Sequence, residues 1–145
     1  MQVREVMSRD VAIVSPDTTL REAAVLMRQA DSGFLPVGEN DRLVGAVTDR
    51  DITLRAVADG KDPNSAKVRE AMSPQVAYCF EDQDTQEACS LMGEKQIRRL
   101  PVLNRDKRLV GVVTLGDLAT RTQDRPTAGE ALGKVSQQTG QHRNM

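Results

Sequence analysis

The sequence predicts an α+β protein built from two copies of one strand–helix–strand–strand–helix unit. Three observations predict it: a duplication spanning most of the chain, an alternation in each copy between short apolar runs and a stripe of helical period, and polar turn signatures separating them.

The duplication is visible residue by residue. Val3-Arg4-Glu5-Val6-Met7-Ser8 recurs as Val68-Arg69-Glu70-Ala71-Met72-Ser73, with Met7 to Met72 an offset of 65. The same offset carries Val11-Ala12 to Val76-Ala77, Glu22-Ala23 to Glu87-Ala88, Leu26-Met27 to Leu91-Met92 and Leu35-Pro36-Val37 to Leu100-Pro101-Val102. Leu43-Val44-Gly45-Ala46-Val47-Thr48 then matches Leu109-Val110-Gly111-Val112-Val113-Thr114 at an offset of 66. The extra residue falls in the polar stretch Asn104-Arg105-Asp106-Lys107-Arg108, where an insertion costs little. Chance does not give so many matches in one register.

Within the first copy, Val11-Ala12-Ile13-Val14 is a short apolar run closed by the turn signature Ser15-Pro16-Asp17. From Thr19 the apolar positions Leu20, Ala23, Ala24, Met27 and Ala30 follow the period of an amphipathic helix, with Gly33 as its stop. Phe34-Leu35-Pro36-Val37 and Leu43 to Val47 are two strands around the polar turn Glu39-Asn40-Asp41-Arg42. Thr48 or Asp49 then caps a second helix carrying Ile52, Leu54, Ala56 and Val57 and ending near Gly60. The second copy repeats the plan, with Ala88, Cys89, Leu91 and Met92 on its first helix and a second helix after Thr114. Residues 1–64 thus hold the first copy and its linker, 65–122 the second, and 123–145 a last helix and a polar tail. Pro126-Thr127 starts that helix, whose apolar face is Ala128, Ala131, Leu132 and Val135.

Composition narrows the function. Lys+Arg of 20 against Asp+Glu of 21 leaves a net charge of -1, so the chain lacks the basic field of a nucleic-acid binder. An aromatic content of 2% argues against base stacking. No run approaches the ~20 consecutive apolar residues of a membrane span. The opening Met1-Gln2-Val3-Arg4-Glu5 has no apolar signal core. A cytoplasmic location is expected, with neither membrane nor nucleic acid as partner. Cys79 and Cys89 form no CxxC pattern and read as small core residues. His142 is the only histidine and lies in the polar tail. Ser8 and Ser73 have no general base nearby in the sequence, and there is no metal-ligand cluster and no GxxxxGK phosphate loop. Catalysis is not expected, and no metal.

Gly45-Ala46-Val47-Thr48-Asp49-Arg50-Asp51-Ile52 and Gly111-Val112-Val113-Thr114-Leu115-Gly116-Asp117-Leu118 both resemble the closing signature of CBS domains: glycine, two apolar residues, Ser/Thr, two variable residues, Asp, then Ile/Leu. The Leu-Pro-Val strands and the Met-Ser preceding each copy are similar to that family too, and the resemblance covers residues 1 to about 120. The run from Thr48 to Asn64 looks like that of stand-alone bacterial CBS-pair proteins. The resemblance implies a tandem pair related by a pseudo-two-fold axis, a homodimer of such pairs, and an adenosine-ligand site in each of two clefts. It thus implies a regulatory module that binds AMP, ADP, ATP or NAD and signals to a regulated protein by a conformational or dimer change. The alternative is a non-catalytic dimeric scaffold, or partner-docking protein, with degenerate clefts.

The residues at the motif positions suit that ligand. An ionised Asp accepts hydrogen bonds only, through two oxygens, so Asp51 or Asp117 can take both hydroxyls of a ribose. Thr48 and Thr114, three residues upstream, can donate to phosphate. In resembling proteins each cleft draws on both domains. Asp51 and Thr48 would then face Val76, Ala77, Tyr78 and the phosphate-binding candidates Arg98 and Arg99. Asp117 and Thr114 would face Val11, Ala12, Ile13 and Gly33-Phe34, the weaker site. Each residue also has a plainer role: an acid suits a first helical turn, a threonine caps a helix, and an arginine pair can be solvated surface.

Overall fold

A computed structural model describes residues 1–121 and 129–136. The chain forms two compact units, a continuous one of Val11–Val76 and a discontinuous one that joins Met1–Asp10 to Ala77–Met145.

In the continuous unit, Thr19 Oγ1 accepts from the Glu22 N–H at 3.1 Å and starts α1 (Leu20–Ala30). The helix ends where Asp31 turns left-handed at φ 50°, two residues before the glycine expected to stop it. A short polar side chain tolerates that conformation well enough to close a helix. Leu20, Ala23 and Met27 are buried, whereas Ala24 and Ala30 are exposed, so the inward stripe is narrower than the apolar pattern. β1 (Phe34–Glu39) and β2 (Arg42–Thr48) form an antiparallel hairpin. Its turn residues Asn40 and Asp41 have φ of 55° and 63°, a combination that matches the twist of the flanking strands. α2 (Asp49–Ile52) runs on as a π-helical turn over Thr53–Val57, and Gly60 at φ 74° follows.

The strand expected over Val11–Val14 is a single parallel bridge from Val14 to Val37. The Val14 N–H donates to Pro36 O (3.2 Å) and the Gly38 N–H to Val14 O (2.8 Å). Extending the ladder one step back would require an N–H from Pro36, which has none.

The discontinuous unit repeats the plan. β3 (Cys79–Phe80) lies parallel to β4 (Arg99–Leu103), and β4 is antiparallel to β5 (Leu109–Thr114). Here Pro101 stands where Pro36 does, and the first strand is again short. α3 (Thr85–Lys95) is capped by Asp84 and closed by Gln96 at φ 57°, in register with Asp31. α4 (Leu115–Arg121) follows β5, and residues 129–136 form α5. The expected start of α5 at Pro126-Thr127, Ala128 on its face, and the tail from Gln137 lie outside the described residues.

Each unit is completed by the segment that precedes the other copy of the repeat. In the continuous unit Ser73 exchanges two backbone hydrogen bonds with Ala46 (2.9 and 3.0 Å), and the Val68 N–H donates to Thr18 O at 2.8 Å. In the discontinuous unit Ser8 does the same with Val112 (2.9 and 3.0 Å), and the Val3 N–H donates to Gln83 O at 2.9 Å. The glycines in β2 and β5 make room for this. A Cβ on Gly45 would stand 2.5 Å from Ser73 O, and one on Gly111 2.5 Å from Ser8 O.

Val3, Val68, Leu100, Val102 and Val113 are wholly buried in the two cores. Both cysteines are buried, and burial pushes the Cys79 thiol up to about 12. Alkylation needs the thiolate, so Cys79 should stay unmodified by iodoacetamide at pH 8 in the native protein and react fully in urea. Peptide mass spectrometry checks this; labelling of the native protein would show the site to be open.

Candidate ligand-binding site

The motif residues sit where each hairpin ends. Thr48 closes β2, and its Oγ1 accepts from the Asp51 N–H (3.0 Å) while Asp51 Oδ2 accepts from the Thr48 N–H (3.0 Å). Thr114 and Asp117 form the same reciprocal pair at 3.0 and 3.1 Å. The spacing of three residues is what a capping box requires. The plainer role of these residues is therefore real in both units.

Capping leaves part of each carboxylate in reserve. Asp51 Oδ1 lies 4.0 Å from Arg55 Nε, and Asp117 Oδ1 3.9 Å from Arg121 Nε, both too long for hydrogen bonds. The two arginines are tied elsewhere. Arg55 donates to the carbonyls of Ala71 (3.2 Å) and Met72 (3.3 Å), and Arg121 to that of Val6 (3.2 Å). Each so links the helix to the segment that completes its unit. The Asp side chains are 17% and 16% exposed, so one oxygen of each keeps acceptor capacity at a surface that solvent reaches.

Arg98 and Arg99 belong to the discontinuous unit and Thr48 and Asp51 to the continuous one. Within its unit, the arginine pair lines a cavity of about 630 Å³ together with Thr114, Leu115, Gly116, Ala119, Gly129 and Leu132. Arg99 pairs with Thr114 across the β4–β5 ladder, and the Arg98 carbonyl accepts from the Leu115 N–H at 2.8 Å. Register thus brings two guanidinium groups to the Thr114 end of the hairpin. The cavity falls within the roughly 300–1,000 Å³ of small-molecule sites.

The equivalent place in the continuous unit has the opposite character. There the Gly33 carbonyl accepts from the Asp49 N–H at 2.9 Å, and a Cβ on Gly33 would stand 2.5 Å from Asp49 Oδ2. Glycine and a carboxylate occupy the positions held by Arg98 and Leu115 in the other copy. The first place thus carries two cationic side chains and the second an anionic one.

The first-strand residues also match between copies. Val11, Ala12, Val76 and Ala77 are half-buried, and each run ends in an exposed large side chain, Ile13 at 47% and Tyr78 at 38%. Sequence reasoning missed Leu115, Gly116, Ala119 and Gly129 as cavity walls, since none carries a polar signal. It set Leu132 on the apolar face of the last helix with Ala131 and Val135; those two are buried, and Leu132 is 44% exposed in the cavity wall. Among the described residues no three of His, Cys, Asp and Glu stand together as a metal site, and no helix is long and apolar enough to cross a membrane.

A family model described as CBS domain matches residues 3–57 and 68–123. The CBS domain-containing protein YhcV of Bacillus subtilis is 43% identical over 136 residues, covering 94% of this chain and 96% of that protein. The crystal structure of Hypoxic Response Protein I with two coordinated zinc ions is similar at a TM-score of 0.77 and 40% identity, over 84% of this chain and 99% of that one. The CBS domain pair of protein MJ0100, in complex with 5'-methylthioadenosine and S-adenosyl-L-methionine, has a TM-score of 0.71 at 26% identity, over 82% of this chain and 97% of that one.

Proposed function

Since the chain belongs to the CBS-domain family and carries two such domains in tandem, we propose that it is a cytoplasmic, non-catalytic regulatory module. It binds an adenine nucleotide (AMP, ADP, ATP or NAD) and passes occupancy to a regulated protein through a change in conformation or in a homodimer. The observation that carries this reading is the cavity where Arg98, Arg99 and Thr114 meet. Two guanidinium groups and a hydroxyl suit a phosphate or carboxylate, and the apolar walls Leu115 and Ala119 suit the rest of an adenosyl ligand.

Asp117, fixed to Thr114 by the capping box, is assigned to the ribose, with Ala77 and Tyr78 as apolar contacts on the same unit. Thr48 and Asp51, with Val11, Ala12 and Ile13, form the corresponding set in the continuous unit. They take the less anionic ligand, because Asp49 stands where the other copy has Leu115. Val76 is the remaining first-strand contact. The ligands held by the MJ0100 pair support an adenosyl group as the common element. Leu54 and Val57, 53% and 61% exposed, supply apolar surface for self-association.

Thermal melts with AMP, ADP, ATP, NAD and S-adenosylmethionine test the reading, since a ligand of the folded state raises the midpoint by mass action. Asp117→Ala should then weaken the tightest binder by about ten- to a hundred-fold in calorimetry, the worth of a hydrogen bond to a charged group. Asp51→Ala should do the same to any second, weaker event. Flat melts with all five compounds would leave the scaffold reading instead.

A further inference from the structure

Building on the nucleotide reading above, we propose that α5 is a working part of the ligand site. Leu132 walls the cavity of Arg98, Arg99 and Thr114, so that ligand binding and docking of α5 on α3 favour each other. Over its described residues, 129–136, the helix carries Gly129 and Gly133, which lower its propensity, and neither is needed for packing, since a Cβ at either position would meet nothing within 4 Å. What holds it is docking. Ala131 and Val135 are each 4% exposed, and the Gln96 side-chain amide donates to the Lys134 carbonyl at 3.2 Å.

The seat is Gly93 on α3, where a Cβ would lie 3.2 Å from Lys134 Cδ and 3.3 Å from Ala131 Cα. The first copy of the repeat carries Arg28 at this position, exposed on α1. A bare helix face in one copy and a covered one in the other are therefore separated by one residue type. With Ala131 turned inward, Leu132 comes out about 100° further round the helix, beside Gly129 and over the cavity. There it leaves a large apolar side chain 44% exposed. A ligand filling the cavity removes that surface from water only while α5 is docked. It therefore binds the docked form better, and by linkage docking raises its affinity.

The test uses the full chain and whichever of AMP, ADP, ATP, NAD or S-adenosylmethionine binds it most tightly. Hydrogen exchange across residues 129–136 should slow when that compound is added. Gly93→Arg, which installs the residue the other copy tolerates, and Leu132→Ala, at an exposed position that folding does not depend on, should each weaken binding about five- to twenty-fold. Arg99→Ala should weaken it too. Loss with Arg99→Ala but wild-type affinity in both Gly93→Arg and Leu132→Ala, with exchange over 129–136 unchanged by ligand, overturns the role of α5 and leaves the nucleotide reading standing. No binding of any of the five compounds to the wild-type chain overturns both.

Discussion

Gly111→Ala is expected to cost the protein roughly 3 kcal/mol, the upper end of what overpacking costs. The added Cβ would stand 2.5 Å from the Ser8 carbonyl, a backbone atom that exchanges hydrogen bonds with Val112 and cannot swing aside as a side chain can. Relief requires moving the segment of residues 1–10, which carries the wholly buried Val3 into the core. Gly45→Ala should be equally damaging through Ser73 O. Urea unfolding of both variants, with Gly129→Ala as a control that meets no neighbour, measures the effect. A change below about 1 kcal/mol in the first two would mean that the segments are loosely held.

The double variant Arg98→Ala/Arg99→Ala should lose nucleotide affinity by about a hundredfold or more, since two charge-assisted hydrogen bonds of about 1.5–3 kcal/mol each are removed together. Both side chains are exposed, so the melting temperature without ligand should change little. Salt gives a second readout. Wild-type affinity should fall as sodium chloride screens the arginines, and the variant's weak residual binding should be nearly insensitive to it. Unaltered affinity would place the anion elsewhere.

The α+β repeat and its family were visible in the sequence because side-chain identity carries them: the Leu-Pro-Val strands, the Gly-x-x-Thr strand ends and the Asp three residues after each Thr. The capping boxes follow from that same spacing. Other features depend on backbone atoms that every residue shares. The first strands shrink, to a bridge in one copy and to two residues in the other, because Pro36 and Pro101 withhold an N–H from a neighbour far away in sequence. Nor does the linear order show which copy each Val-Arg-Glu segment docks on, because residues 3–5 and 68–70 are identical. The arginines show the same limit. Arg98 and Arg99 stood out as anion ligands from their chemistry alone, whereas their meeting with Thr114 comes from the β4–β5 register. Leu132 was grouped with Ala131 and Val135 on one apolar face because it fits the helical period, and periodicity is blind to an open cavity.

The exchange of segments between copies sets a timetable for synthesis. The stretch from residue 11 to residue 76 has all its partners as soon as it leaves the ribosome, and it can close early on short-range contacts. Residues 1–10 are made before that stretch, yet the carbonyls and amides they pair with, at Gln83 and Val112, are made after it. A nascent chain therefore carries Val3, Val6 and Met7 without their core past one finished half, and these side chains must be kept from sticking until the other half arrives.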